Sequence, residues 1–176
     1  MPRIETGGDP VLLAAGDIID DEPGHAEMTA ELLDRYDGQV ATLGDNLNTR
    51  GRLADALTSY AATWGRHRWR TRPSVGNHDY MTNHAAPYYA YFCKAAGTPF
   101  DGWYSYDLGT WHIVVLNSIC ADYFGEGPAC GPGSPQLEWL AADLAAHPSS
   151  CLLAYFHHPR FSSDEDGDHP VLQPYE

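Results

Sequence analysis

Gln39-Val40-Ala41-Thr42-Leu43-Gly44-Asp45-Asn46 is an apolar run of strand length that ends in a glycine, a carboxylate and an amide. Three other segments repeat the plan. Val11-Leu12-Leu13-Ala14-Ala15 leads into Gly16-Asp17, Pro73-Ser74-Val75 into Gly76-Asn77-His78-Asp79, and Leu152-Leu153-Ala154-Tyr155-Phe156 into His157-His158-Pro159. The longer runs are continuous enough for strands covered on both faces. Side chains at four strand ends converge only if the strands lie side by side, and open α/β sheets place ligands at the carboxyl ends of their strands. Carboxylate, amide oxygen and imidazole together suit a hard-to-borderline divalent or trivalent cation.

Helical patterns lie between these runs. Leu53, Leu57, Tyr60, Ala61 and Trp64 share one helical face, and Leu137, Leu140, Ala141 and Leu144 share another, with Ser134 as N-cap and Pro135 as first helical residue. Glu27 to Tyr36 is a third, weaker pattern. Trp111-His112-Ile113-Val114-Val115-Leu116 is a further strand, and Trp103 to Asn117 reads as a hairpin turning at Gly109-Thr110. Strand and helix in alternation predict an α/β sandwich with helices outside.

The 176 residues fit one domain, 43% hydrophobic and 12% aromatic, without internal repeat or dividing linker. Ten Lys plus Arg against 24 Asp plus Glu give a net charge of -14, which repels nucleic acid and leaves any phosphorylated substrate to be attracted by bound cations. No stretch approaches the ~20 apolar residues of a membrane span, and the first strand begins too early for a signal peptide to precede it. The four cysteines lack a CxxC pair. Cys120 and Cys130 bracket a Gly- and Pro-rich loop that a disulfide would staple, the alternative being two buried thiols. If bridged, they favour a secreted or periplasmic location, and otherwise the cytoplasm.

Each Gly-Asp dipeptide alone reads most simply as a turn, glycine letting the backbone bend sharply and approach an ion. Their joint occurrence with Gly-Asn-His-Asp changes this reading. Asn77 offers an amide oxygen, His78 an imidazole beside it, and Asp79 a carboxylate to orient that imidazole. His157 adds a nitrogen ligand, while His158 and Arg160 are candidates for substrate contact. The remaining histidines, including His25, His112 and His147, lack ligand spacing and read as surface or packing residues. Tyr88, Tyr89, Tyr91 and Phe92 read as core or pocket wall. Asp164, Glu165, Asp166 and Asp168 read as a solvated acidic loop, their spacing failing the EF-hand pattern.

The order Gly-Asp, Gly-Asp-Asn, Gly-Asn-His-Asp, His-x-Pro resembles the calcineurin-like metallophosphoesterases, and within them the bacterial purple-acid-phosphatase-like branch. Supporting segments are Gly102-Trp103-Tyr104-Ser105-Tyr106-Asp107-Leu108-Gly109, Leu116-Asn117-Ser118, Gly133-Ser134-Pro135-Gln136 and Ala154 to Phe161. The resemblance implies a four-layer αββα sandwich. It implies that Asp17 binds a first metal, that Asp45 bridges two, and that Asn77 and His157 bind the second. The metals would be Fe, Mn or Zn, about 3.5 to 4 Å apart, and a metal-bound hydroxide would attack the phosphorus of a phosphomonoester or diester. His78, oriented by Asp79, would stabilise the developing charge or protonate the leaving oxygen.

The chain also departs from the family pattern. Ile19 stands where many members carry His. Asn48, a candidate substrate contact, stands where the purple acid branch carries Tyr. The family's Gly-His-x-His loop and the strand before it have no counterpart here. The second metal site is therefore expected to be more complete than the first, and the domain 1-176 to be C-terminally incomplete. A homodimer covering an exposed sheet edge is expected, and a non-catalytic module acting through protein interaction is the competing reading.

Overall fold

In a computed structural model, residues 8–19, 22, 24–47, 50–121, 127–148, 151–163 and 168 are described. Asn48 and the acidic residues Asp164, Glu165 and Asp166 lie outside them. The fold is mixed α/β, with two small sheets and helices.

β1 (Leu12–Ala15), β2 (Gln39–Leu43) and β3 (Thr71–Ser74) form the first sheet in that order, all parallel. Ala15 pairs with Thr42, and Leu43 with Ser74. This register brings the carboxyl ends of the three strands, and so Asp17, Asp45 and Asn77, to one edge. In the second sheet β4 (Tyr104–Leu108) runs antiparallel to β5 (Trp111–Val115), and β6 (Cys151–Tyr155) runs parallel to β5. The hairpin turns at Gly109, φ 62°, and Thr110, as expected.

Alternation along each strand sorts the core. Ala41, Leu12 and Leu43 share an apolar cluster with Ile113, Val115 and Tyr155 of the second sheet. Leu13 and Val40 instead pack with Leu33, Tyr60, Trp64, Tyr88 and Phe92 from helical segments. The expectation of strands covered on both faces holds for β2 and β5 but not for β1 and β6, which lie at sheet edges. Leu152 on β6 is 49% exposed.

α1 (His25–Leu33) begins two residues and ends three residues earlier than the predicted Glu27 to Tyr36, after Gly24 in a left-handed conformation. The helix expected from Leu53 to Trp64 is broken into kinds. α2 (Leu53–Asp55) passes into a π-helix at Ala56–Tyr60, and a 3₁₀ segment spans Trp64–Arg70. The wider π turn shifts the buried face onto Ala56, Tyr60 and Trp64, leaving Leu53 and Leu57 exposed. α3 (Ala86–Phe92) carries the tyrosine cluster into the core. α4 (Pro135–Ala146) starts where predicted, the Ser134 hydroxyl accepting from the Leu137 N–H. Cys120 and Cys130 form a disulfide. No helix among the described residues is long and apolar enough to cross a membrane.

Candidate metal centre

The loops leaving β1 and β2 are stitched together through their backbones. Asp17 N–H donates to the Gly44 carbonyl and Ile18 N–H to that of Asp45, both at 3.1 Å. The sharp turns fall on the aspartates, with φ 53° at Asp17 and 52° at Asp45. Sequence reasoning had assigned them to the preceding glycines, and of these only Gly44 (φ 96°) is left-handed. Side chains in this region are strained by roughly 1–3 kcal/mol each, a feature that clusters at functional sites.

The glycines serve close approach. A Cβ on Gly44 would run into the imidazole of His157, and one on Gly76 into the carboxylate and backbone nitrogen of Asp45. Both are therefore needed for the β2, β3 and β6 loops to meet.

His157 leaves β6 and reaches across to the first sheet. Its Nδ1 lies 2.8 Å from the carbonyl oxygen of Leu43. A carbonyl only accepts, so Nδ1 carries the proton and a neutral ring presents its lone pair at Nε2. That Nε2 lies 2.8 Å from Asn77 Oδ1 and 3.5 Å from Asp45 Oδ2. Three electron-rich atoms thus converge. A cation placed among them would be their shared partner. The donor set, imidazole, amide oxygen and carboxylate, fits a borderline divalent ion, and the Nδ1–H bond to a carbonyl is the contact that orients a ligating histidine.

Asp45 is 8% exposed, and burial pushes its pKa up against the opposing pull of His157, the His78 backbone N–H and the His78 ring, with Asp17 adding to the rise. A cation would remove this cost. Asp17 is exposed and sits at the same strand edge, joined through its backbone and its charge rather than through a side-chain contact with the other three. Ile19, where a ligand stands in the resembled family, is a core residue at 8% exposure.

His78 is half-buried. Its backbone N–H donates to Asp45 Oδ1 at 2.9 Å, and its Nε2 lies 3.7 Å from Asp45 Oδ2. Asp79 has a different place from the one predicted. It is fully buried, and its carboxylate accepts from the N–H groups of Asn46, Leu47 and Gly76 and from the Asn46 side chain, at 3.0–3.3 Å. It ties the β2 loop to the β3 loop, so we describe it as a positioning residue rather than as the orienter of His78. Burial pushes its pKa up to about 6, even though the N–H donors favour the charged form.

The Ser118 hydroxyl lies 3.2 Å from His158 Nδ1 and accepts from the His158 backbone N–H at 3.0 Å. The ring stands edge-on to His157 at 4.8 Å. Arg160 lays its guanidinium over Phe161, 4.5 Å from the ring centre. Sequence reasoning missed the parts of Asn46 and Ser118, although both stand inside quoted motifs.

His112, read from the sequence as a surface or packing residue, is a packing residue with a further role. This ring is buried, with Nδ1 2.8 Å from Asp107 Oδ1 and Nε2 2.7 Å from Asp143 Oδ2, and it stacks on His147 at 3.8 Å. His112, Asp143 and His147 are close enough to suggest a metal. However, both His112 nitrogens donate to carboxylates and the stacked rings lie nearly parallel, which suits a buried imidazolium tying β4, β5 and α4 together. Its place on one strand face with Val114 and Leu116, both buried, could have signalled burial. Neither a protein-family model nor a curated protein matches the chain.

Proposed function

We propose that this protein is a metal-dependent phosphoesterase that hydrolyses phosphomonoesters or diesters, built as a four-layer αββα sandwich of the metallophosphoesterase type. The observation that carries the reading is the convergence of His157 Nε2, Asn77 Oδ1 and Asp45 Oδ2, with His157 Nδ1 held by the Leu43 carbonyl. Asp45, Asn77 and His157 would hold one ion, and Asp17 with Asp45 a second, less complete position; Fe, Mn and Zn suit the set. When bound, such ions neutralise phosphoryl oxygens and lower the pKa of water.

The remaining work falls to the chain itself. Asp79 holds the loops in register, and Gly44 and Gly76 let the ligands meet. His78, half-buried at the rim with its N–H anchored on Asp45, is the group to carry a proton to the leaving oxygen. His158, held by Ser118, is the neighbouring group to contact the ester.

Metal content after purification, followed by turnover of p-nitrophenyl phosphate with added Mn, Fe or Zn, tests the reading. Turnover lost in Asp45→Ala and Asn77→Ala supports it; absence of both bound metal and turnover overturns it. The competing reading, a non-catalytic interaction module, draws on the exposed edge strand β6 and would be favoured by that second outcome.

A further inference from the structure

A second cleft, of about 380 Å³, opens between β3, β4 and the turn after α3, lined by Arg72, Lys94, Gly97, Tyr104, Ser105 and Tyr106. It lies away from the candidate metal centre, since Arg72 is near the start of β3 and the metal-centre loop leaves the other end of that strand. We propose that this cleft binds a phosphate-class oxyanion, either free phosphate or the phosphoryl group of a small organic phosphate.

The charge distribution points there. With ten basic side chains against 24 acidic ones, cations in this protein are expected to find carboxylates. Arg52 pairs with Asp55 at 3.0 Å, and Arg66 pairs with Glu27 and Asp34 at 2.9 and 2.8 Å. Arg70 is engaged by the carbonyls of Leu33, Tyr36 and Gly38. Among the described residues no carboxylate forms a salt bridge with Arg72 or Lys94, and both line the same cleft.

The cleft is also pre-formed. The Arg72 guanidinium lies over Tyr106, 5.4 Å from the ring centre, which supports its plane while leaving the N–H fork at its edge for an oxyanion. Tyr104 and Tyr155 fix the wall by donating to the carbonyls of Pro73 and Arg72 at 2.8 and 2.9 Å. Gly97, φ 75°, has no side chain to press on the Tyr104 ring. The Ser105 hydroxyl is committed to Asp143, which His112 neutralises in turn. Arg72 supplies two parallel donors and Lys94 a point charge, a combination that suits a tetrahedral oxyanion.

The proposal does not depend on phosphoesterase activity. Its test is a titration of the EDTA-treated Asp45→Ala chain with inorganic phosphate, followed by amide NMR. Saturable shifts at Gly97, Tyr104 and Ser105 are expected, with binding weakened ~10-fold or more in Arg72→Met and Lys94→Met and weakened less in Arg72→Lys, which keeps the charge but loses the paired donors. Glycerol phosphate binding more tightly than phosphate would identify an organic phosphate as the occupant, and equal affinity would identify free phosphate. Shifts matched by sodium chloride of equal ionic strength, acetate binding as well as phosphate, or folded Met variants that bind like the parent would each overturn it.

Discussion

His157 Nδ1 and the Leu43 carbonyl oxygen, 2.8 Å apart, join the end of β6 to the end of β2. The bond sets which imidazole nitrogen faces Asn77 and Asp45. Replacing His157 with Ala removes both the nitrogen and the tie, and Mn or Zn affinity measured by calorimetry should fall on the order of 100-fold. Unchanged affinity would take His157 out of the centre.

Gly76→Ala tests the packing around Asp45. The added methyl meets the Asp45 carboxylate and nitrogen, so the loops must part. We expect a loss of about 1–3 kcal/mol in urea denaturation, together with weaker metal binding. A variant with wild-type stability and affinity would show that the approach of the β2 and β3 loops is unimportant.

Asp79 and His78, adjacent in sequence, should separate cleanly. Asp79→Ala strands the buried N–H groups of Asn46, Leu47 and Gly76, and the expected cost is about 3 kcal/mol or more. His78→Ala, at a half-buried position, should leave the melting temperature nearly unchanged while lowering kcat by roughly 10²-fold or more. Equal destabilisation by the two variants would refute this division.

The stability of the β4, β5 and α4 junction should depend on pH through His112. Burial opposes its charge, yet hydrogen bonds and attraction from Asp143 and Asp107 win, and its pKa lies above the ordinary histidine value. A raised folded-state pKa contributes stability that is fully present below the unfolded value of about 6.5 and is lost as pH rises through the folded value. Urea midpoints across this range should therefore fall more steeply with pH in the wild type than in His112→Asn. Parallel profiles would show that folding leaves the His112 pKa unshifted, and a wild-type profile rising relative to His112→Asn would show the ring held neutral; either outcome refutes the buried imidazolium.

Much of the fold was legible because strand runs and turn residues are local signals. β2 and the hairpin at Gly109-Thr110 lie where periodicity and turn chemistry put them, and Ser134-Pro135 opens α4 as its capping chemistry requires. The π-helix at Ala56–Tyr60 was not legible, since a helix that packs Tyr60 and Trp64 into the core is selected by tertiary contacts that override α-periodicity. At the candidate site, ligand types could be read from the strand ends. The position of Asp79 could not, because apart from the Asn46 side chain its partners are backbone N–H groups that any sequence would supply. The ion pairs of His112 were not legible for a related reason: its carboxylates come from β4 and α4, Asp107 five and Asp143 thirty-one residues distant.

The candidate ligands are divided between the two sheets, Asp17, Asp45 and Asn77 on the first and His157 on the second. A bound ion would therefore act as a removable cross-link between layers otherwise held by apolar contacts and by a few hydrogen bonds, among them those of Tyr104 and Tyr155 to β3. Occupancy and global stability become linked quantities, the folded state gaining about 2.7 kcal/mol at a free-metal concentration 100 times Kd. Survival of the chain under proteolysis would then report metal supply, whether or not any ester is turned over.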